Sequence, residues 1–118
     1  GPTNLKDPFY SENPDFDFAL EMLVDEGAYP GVSDYAKAVS PAFLVNFNSS
    51  PTILFYGTDD LLVPVSNGTF LKEKLDAAGV KNSLTIYEGG HGDWEKLDQK
   101  DLHLQLSAFI DENLPIQK

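Results

Sequence analysis

Two short segments, each followed within a few residues by glycine, constrain the fold of this chain more than any other feature. Thr52 to Tyr56 is a continuously apolar run bounded by Pro51 and Gly57. Its lack of alternation predicts a strand that is covered on both faces, as strands of parallel sheets are. Ser83 to Tyr87 predicts a second strand of similar length. The two predicted strands therefore indicate a small sheet in the second half of the chain.

One helix is predicted between these strands and another after them. Ser66 or Asn67 would cap the first helix, and Gly79 would end it. Its apolar positions at helical spacing are Phe70, Leu71, Leu75 and Ala78. The second helix would begin near Asp98 and end before Pro115. Its apolar face would consist of Leu102, Leu106, Phe109 and Ile110. This strand–helix–strand–helix order predicts an α/β fold with short parallel strands and flanking helices.

The first half of the chain is irregular by comparison. The segment GPTNLKDPFYSENPDFDF contains three prolines and several Asn and Asp residues, which predicts a loop leading into a helix. Asn13 and Pro14 would start that helix, and Gly27 would end it. Its apolar positions are Phe16, Ala19, Leu20, Leu23 and Val24. A second short helix is predicted from Ser33 through Val39, followed by a turn at Ser40 and Pro41.

Length, charge and composition limit what the chain can be. Its 118 residues suit a single unit, in which loops and short helices over 1–50 precede the βαβα segment over 51–118. A formal net charge of −11 repels phosphate backbones, so we expect no nucleic-acid partner. No apolar run approaches the roughly 20 residues that span a bilayer. The absence of cysteine excludes disulfides and Cys-ligated zinc but leaves the compartment open.

Asp60 and His91 occupy equivalent positions after the two predicted strands. Asp60 follows Tyr56 by four residues, and His91 follows Tyr87 by four. A βαβ crossover usually makes its two strands parallel neighbours, so the loops after both strands emerge at one edge of the sheet. A carboxylate there can fix the tautomer of the imidazole and stabilise its protonated form. The spacing therefore predicts an Asp–His pair at this edge.

Each of these residues also has a simpler interpretation when taken alone. An isolated Asp after a strand is often a turn former, and an isolated His is often a surface residue, so the prediction depends on their joint placement. Asp59 is expected to be a solvated turn residue, and His103 to lie on the solvated face of the last helix. No ligand spacing supports a metal site. Trp94 would either line a pocket or pack against the histidine loop.

The segment PTILFYGTDDLLVPVSNGTFLKEKLDAAGVKNSLTIYEGGHGDW resembles the C-terminal part of α/β-hydrolase esterases and lipases, the acetyl-esterase and feruloyl-esterase-like members in particular. That family combines an apolar strand and Gly-x-x-Asp-x-x-Val-Pro with a later strand and a catalytic Gly-His. The matching residues here are Gly57, Asp60, Val63, Pro64, Gly90 and His91. The upstream segments GPTNL and YAKAVSPAFLVNFNSSP resemble the same family less specifically.

The resemblance implies a serine hydrolase that acts on a small ester substrate without any cofactor. In it, Asp60 is the acid of the catalytic triad and His91 is the general base. Prolyl-oligopeptidase-type peptidases share the Asp–His pattern, so a peptidase remains an alternative. A non-catalytic interaction module on a degenerate hydrolase fold is the second alternative.

The nucleophile of this family is absent from the sequence. No Gly-x-Ser-x-Gly motif and no His-Gly-Gly-Gly oxyanion segment occurs in the 118 residues. We therefore expect the chain to be the C-terminal portion of a hydrolase domain and to be inactive alone. Because two strands are rarely stable with open edges, we also expect the isolated chain to form a homo-oligomer through an exposed strand edge.

Overall fold

The computed structural model describes residues 1–23, 27–29 and 31–114. Within them, helices and strands follow in the order α1 (Pro8–Ser11), α2 (Pro14–Leu23), α3 (Val32–Ala38), α4 (Pro41–Leu44), β1 (Thr52–Gly57), α5 (Val65–Ala77), β2 (Asn82–Tyr87) and α6 (Lys96–Asn113). The second half is the predicted βαβα unit, and the α/β fold class is confirmed. No helix among the described residues combines the length and the apolar character needed to cross a bilayer.

The two strands pair in parallel, from Thr52 opposite Asn82 to Gly57 opposite Tyr87. Because side chains alternate along a strand, residues at even and odd positions of β1 face opposite sides of the sheet. Leu54 packs against the core that α5 forms on one side. On the other side Thr85 and Tyr87 hydrogen-bond to α6. The two helices therefore flank the sheet on opposite faces.

A small apolar cluster joins the first half of the chain to the second. Its buried members are Ala42, Leu71, Leu75 and Val80, and Val45 and Leu54 are among the residues that pack against it. Helix α4 contributes Ala42, whereas α5 contributes both leucines. The irregular first half thus packs mainly against α5.

The predicted cap of α5 is wrong. The helix begins at Val65 after Pro64, so Ser66 and Asn67 lie within its first turn. Both side chains bind the N-terminal segment instead: Ser66 donates to Asp7, and Asn67 accepts from the N–H groups of residues 3 and 4. A side chain engaged in these distant contacts is no longer available to cap its own helix. The predicted end is confirmed, since Gly79 follows the helix with φ of +70°.

Two short helices in the first half differ from the sequence-based expectation. Helix α1 was not expected, although Asp7 accepts from the N–H of Phe9 and Pro8 occupies the first helical position, both ordinary start signals. Helix α4 begins at Pro41, where only a turn was predicted. Both helices have four residues, which is too short for hydrophobic periodicity to be visible.

The longer helices follow the predictions more closely. Helix α2 begins at Pro14 and α3 spans nearly the predicted residues, whereas α6 begins at Lys96 rather than Asp98. The predicted α2 position Val24 and the predicted helix-ending Pro115 lie outside the described residues.

The sheet is less covered than the sequence suggested. Residues 52–55 of β1 are only partly buried, and Ile86 in β2 is 43% exposed. Among the described residues neither strand has a second neighbour. Other large apolar side chains are exposed as well, including Phe47, Leu61 and Leu97 at 80% or more. The described residues thus leave open strand edges and substantial apolar surface.

Candidate active site

The turn after β1 orients the carboxyl group of Asp60. Its Oδ1 atom accepts hydrogen bonds from the backbone N–H groups of Leu62 and Val63, both at 2.8 Å. Asp favours turns of this kind because its short side chain reaches the backbone a few residues later. Val63 is buried and anchors the turn, and the Asp60 side chain is itself only 5% exposed. The second oxygen, Oδ2, is left to bind another group.

His91 lies in the loop after β2, and its ring contacts Asp60. The Nδ1 atom of His91 lies 2.7 Å from Oδ2 of Asp60. Because an ionised carboxylate can only accept, the shared proton sits on Nδ1, and the neutral ring keeps Nε2 as an acceptor. The His91 side chain is 53% exposed, and no described residue hydrogen-bonds to Nε2. The two candidate residues therefore meet with the basic nitrogen accessible.

The surroundings of Asp60 favour its ionised form. Burial by itself raises the pKa of this carboxyl group. The hydrogen bonds from Val63, from the His91 ring and from Leu62 outweigh burial, so the pKa lies below its ordinary value. Asp60 is consequently a carboxylate at neutral pH and stabilises a positive charge on His91.

The backbones of the two loops are in direct contact at Gly57. A Cβ atom at this position would overlap the carbonyl oxygens of Gly89 and Gly90, so the close approach requires glycine. The N–H of Asp59 donates to the Gly89 carbonyl at 2.8 Å, and the N–H of Thr58 donates to the Tyr87 carbonyl at 2.9 Å. These bonds extend the pairing of the strands into the loops that carry Asp60 and His91.

A cavity of about 140 Å³ adjoins the pair. Its remaining walls are formed by Gly1, Phe55, Tyr56, Val63, Gly92 and Trp94. The Tyr56 hydroxyl donates to the carbonyl of Gly1 at 2.7 Å, which holds the start of the chain beside the cavity. The site thus combines one carboxylate and one imidazole with mainly aromatic and apolar walls.

Other titratable residues singled out in the sequence lie apart from the pair. Asp59 is exposed in the turn, and His103 is exposed on α6, as predicted. Asp93 uses Oδ1 to accept from the N–H of Gly90 at 3.0 Å. No group of three or more His, Asp or Glu side chains within the described residues is arranged to hold a metal ion.

A polar network that supports the histidine loop was not predicted from the sequence. Tyr87 donates its hydroxyl proton to Oδ2 of Asp101 at 2.7 Å, and Gln105 donates to the same oxygen at 2.7 Å. Burial and the neighbouring Asp101 carboxylate raise the pKa of Tyr87 to about 12. The spacing of Asp101 and Gln105 by one helical turn could have indicated a shared partner, but it did not identify Tyr87.

No described serine occupies the position of a nucleophile. Ser66 donates to Asp7, Ser40 donates to the Ala36 carbonyl, and Ser11 donates to the Pro8 carbonyl. None of the described serines hydrogen-bonds to His91. The pair can therefore accept and return a proton but has no hydroxyl group of its own to activate.

Comparisons of the fold point to esterases. No protein-family model matches the chain, and no curated protein does. Among solved structures, native esterase Est2 from Thermogutta terrifontis is 27% identical with a TM-score of 0.62, over 88% of this chain and 36% of that chain. Esterase 2 of the same organism phosphorylated by paraoxon is 27% identical with a TM-score of 0.58, over 70% of this chain and 34% of that chain.

A second protein gives the same result. A truncated carbohydrate esterase from gut microbiota is 30% identical with a TM-score of 0.51, over 64% of this chain and 28% of that chain. The chain thus spans only about a third of the esterases that it matches. The fold of this chain is an esterase-like α/β fold.

Proposed function

We propose that this chain is the C-terminal part of a serine hydrolase that cleaves small carboxylic esters, with 51–118 contributing the triad acid and base. Asp60 is the acid and His91 is the general base. The single observation that carries the proposal is the 2.7 Å contact between Nδ1 of His91 and Oδ2 of Asp60, with Nε2 of His91 exposed.

The proposed chemistry uses the two nitrogens of His91 for different purposes. Asp60 accepts from Nδ1–H, which keeps the lone pair on Nε2. Nε2 takes the proton of a serine hydroxyl as the serine attacks the ester carbonyl, and later donates it to the departing alcohol. The carboxylate of Asp60 stabilises the imidazolium in between. The serine and the oxyanion donors belong to the remainder of the domain, and no cofactor takes part.

The esterase neighbours support this proposal over the alternatives. The matched solved structures are esterases, and one of them was obtained phosphorylated by paraoxon. No observation on the described residues favours a peptidase or a non-catalytic interaction module. This chain spans about a third of the matched esterase chains. A complete domain of that length would therefore have room for the nucleophile outside the present segment.

Ester turnover by a protein that contains this segment and the rest of its domain tests the proposal. His91→Ala and Asp60→Asn should each lower kcat/KM for a short-chain nitrophenyl ester by roughly ten-thousand-fold. His103→Ala is the matched control, because His103 is exposed on α6, and it should leave turnover unchanged. Equal activity of the His91 and His103 variants would contradict the proposal.

A fluorophosphonate probe applied to the present chain tests the missing nucleophile. Intact mass should show no adduct, because no described serine is paired with His91. An adduct on one serine that disappears in His91→Ala would show that the chain contains its own nucleophile. In that case the proposal of an inactive C-terminal part would be wrong.

We further propose that the chain alone self-associates through an exposed strand edge. The support is the open strand edges and the exposed apolar side chains of the described residues, Phe47 and Leu61 among them. Sedimentation velocity should show a species heavier than 13.0 kDa whose share grows with concentration. A strictly monomeric chain over the same range would contradict this proposal.

A further inference from the structure

We propose that Trp94 is a positioning residue for His91, and that its indole N–H closes the turn on which the imidazole sits. This inference rests on the proposed role of His91 as a general base. It is distinct from that role because Trp94 would act on the orientation of the ring and not on the substrate.

Both backbone polar groups of Gly90, the residue before His91, are hydrogen-bonded by residues that follow His91. The carbonyl of Gly90 accepts from the Nε1–H of Trp94 at 3.0 Å and from the N–H of Gly92 at 3.1 Å. The N–H of Gly90 donates to Oδ1 of Asp93 at 3.0 Å. His91 is therefore at the tip of a short closed turn, and the Trp94 indole is the largest rigid group that closes it.

The indole is itself fixed by the sheet and by α6. Its ring packs against Tyr87 with a centroid distance of 5.1 Å, and Tyr87 stacks on Phe55 of the neighbouring strand at 6.1 Å. The Tyr87 hydroxyl is bound to Asp101 of α6 at 2.7 Å. Movement of the indole would disturb this stack, so the position of the histidine turn is set by the body of the fold.

The same indole borders the strand that leads to Asp60. A Cβ atom on Gly57 would lie 2.9 Å from Nε1 of Trp94. Gly57 and Gly90 are thus in contact beside the indole, three residues before Asp60 and one before His91. The Trp94 side chain therefore lies against the backbone of both loops. This contact explains why the half-exposed imidazole of His91 keeps its Nδ1 directed at Asp60.

The tautomer of His91 provides the test, because it reports orientation without any substrate. In long-range ¹H–¹⁵N spectra of the chain with the His91 ring neutral, we expect the Nδ1–H tautomer to dominate. Trp94→Phe keeps a ring against Tyr87 but removes the N–H, and the Nδ1–H form of His91 should fall to a minority. Tyr35→Phe is the matched control: it also keeps a ring and removes a polar hydrogen, but on α3, outside the contacts of the indole, and it should leave the tautomer unchanged. The exposed His103 serves as an internal reference in every spectrum.

A tautomer that is unchanged in a folded Trp94→Phe variant, or no dominant Nδ1–H form in the unmodified chain, would overturn the inference. Should Trp94→Phe fail to fold, hydrogen exchange in the unmodified chain decides the matter, because its single tryptophan gives one indole signal. The indole N–H should exchange at least about tenfold more slowly than an exposed indole; an equal rate would overturn the inference. Failure of the proposed catalysis would be seen in ester turnover and would leave these spectra unaffected.

Discussion

The two halves of the described chain depend on different kinds of hydrogen bond. In the second half, β1 and β2 pair along their whole length, and backbone bonds continue the pairing into the loops that carry Asp60 and His91. In the first half, the N–H groups of residues 3 and 4 donate to the side chain of Asn67, and that of residue 5 donates to Ser40. The sheet therefore relies on the backbone itself, whereas the attachment of the N-terminal segment depends largely on a few buried side chains.

This difference indicates where each region is vulnerable. A backbone ladder tolerates most side-chain changes but fails where a new atom meets the backbone. A segment that depends on single side chains can be released by removing one of them. The cluster of Ala42, Leu71, Leu75 and Val80 joins the two regions. Measurements on variants can therefore show whether the two regions unfold together.

Gly57→Ala should have the largest effect, because the added Cβ would overlap two carbonyl oxygens that cannot rotate away. We expect a loss of about 3 kcal/mol in the free energy of unfolding, at the upper end for overpacking. Urea unfolding followed by the fluorescence of the single tryptophan measures it. Gly31→Ala is the control: its backbone is extended, with φ of 177°, and a Cβ there meets no atom within 4 Å. Equal losses at both glycines would contradict the close contact at Gly57.

Asn67→Ala should have an intermediate effect of about 1–2 kcal/mol, because two backbone donors of residues 3 and 4 lose their acceptor. The loss is limited since the change also removes a buried Nδ2 atom that has no partner among the described residues. Hydrogen exchange should increase in the first half and remain slow in β1 and β2. Ser66→Ala, which removes an exposed bond to Asp7, is the control and should change little. Faster exchange in both halves alike would show that they open as one unit.

Acid should have the smallest effect, and it concerns the site itself. The pKa of Asp60 is lower in the folded chain than its ordinary value. Its contribution to stability is therefore complete above the ordinary carboxyl pKa and is lost as the pH falls through the folded value. Urea unfolding from neutral pH downward should show a steeper loss for the unmodified chain than for Asp60→Asn. Asp76 and Asp101, whose pKa values are also lowered, are present in both proteins and cancel. Parallel curves would contradict the stabilisation of the Asp60 carboxylate.

The accuracy of the sequence-based predictions also differs along the chain. Both strands were predicted to within one residue at each end, because glycine and proline bound short apolar runs. Helix α1 was missed although Asp7 and Pro8 form an ordinary start signal, since four residues show no periodicity. The start of α5 was wrong because Asn67, a good cap by residue type, is engaged by residues 3 and 4. The errors thus fall on helices too short to show periodicity and on a side chain that a distant part of the chain uses.

Sequence alone predicts that Asp60 and His91 emerge at one edge of a parallel pair of strands, because equal spacing after each strand and the handedness of the crossover are local properties. Three features required the three-dimensional structure: the 2.7 Å contact between Asp60 and His91, the contact of the Trp94 indole with Gly90, and the role of Asn67. These interactions depend on distances between atoms of separate loops. Periodicity and spacing specify which residues share an edge, whereas packing in three dimensions decides which atoms touch.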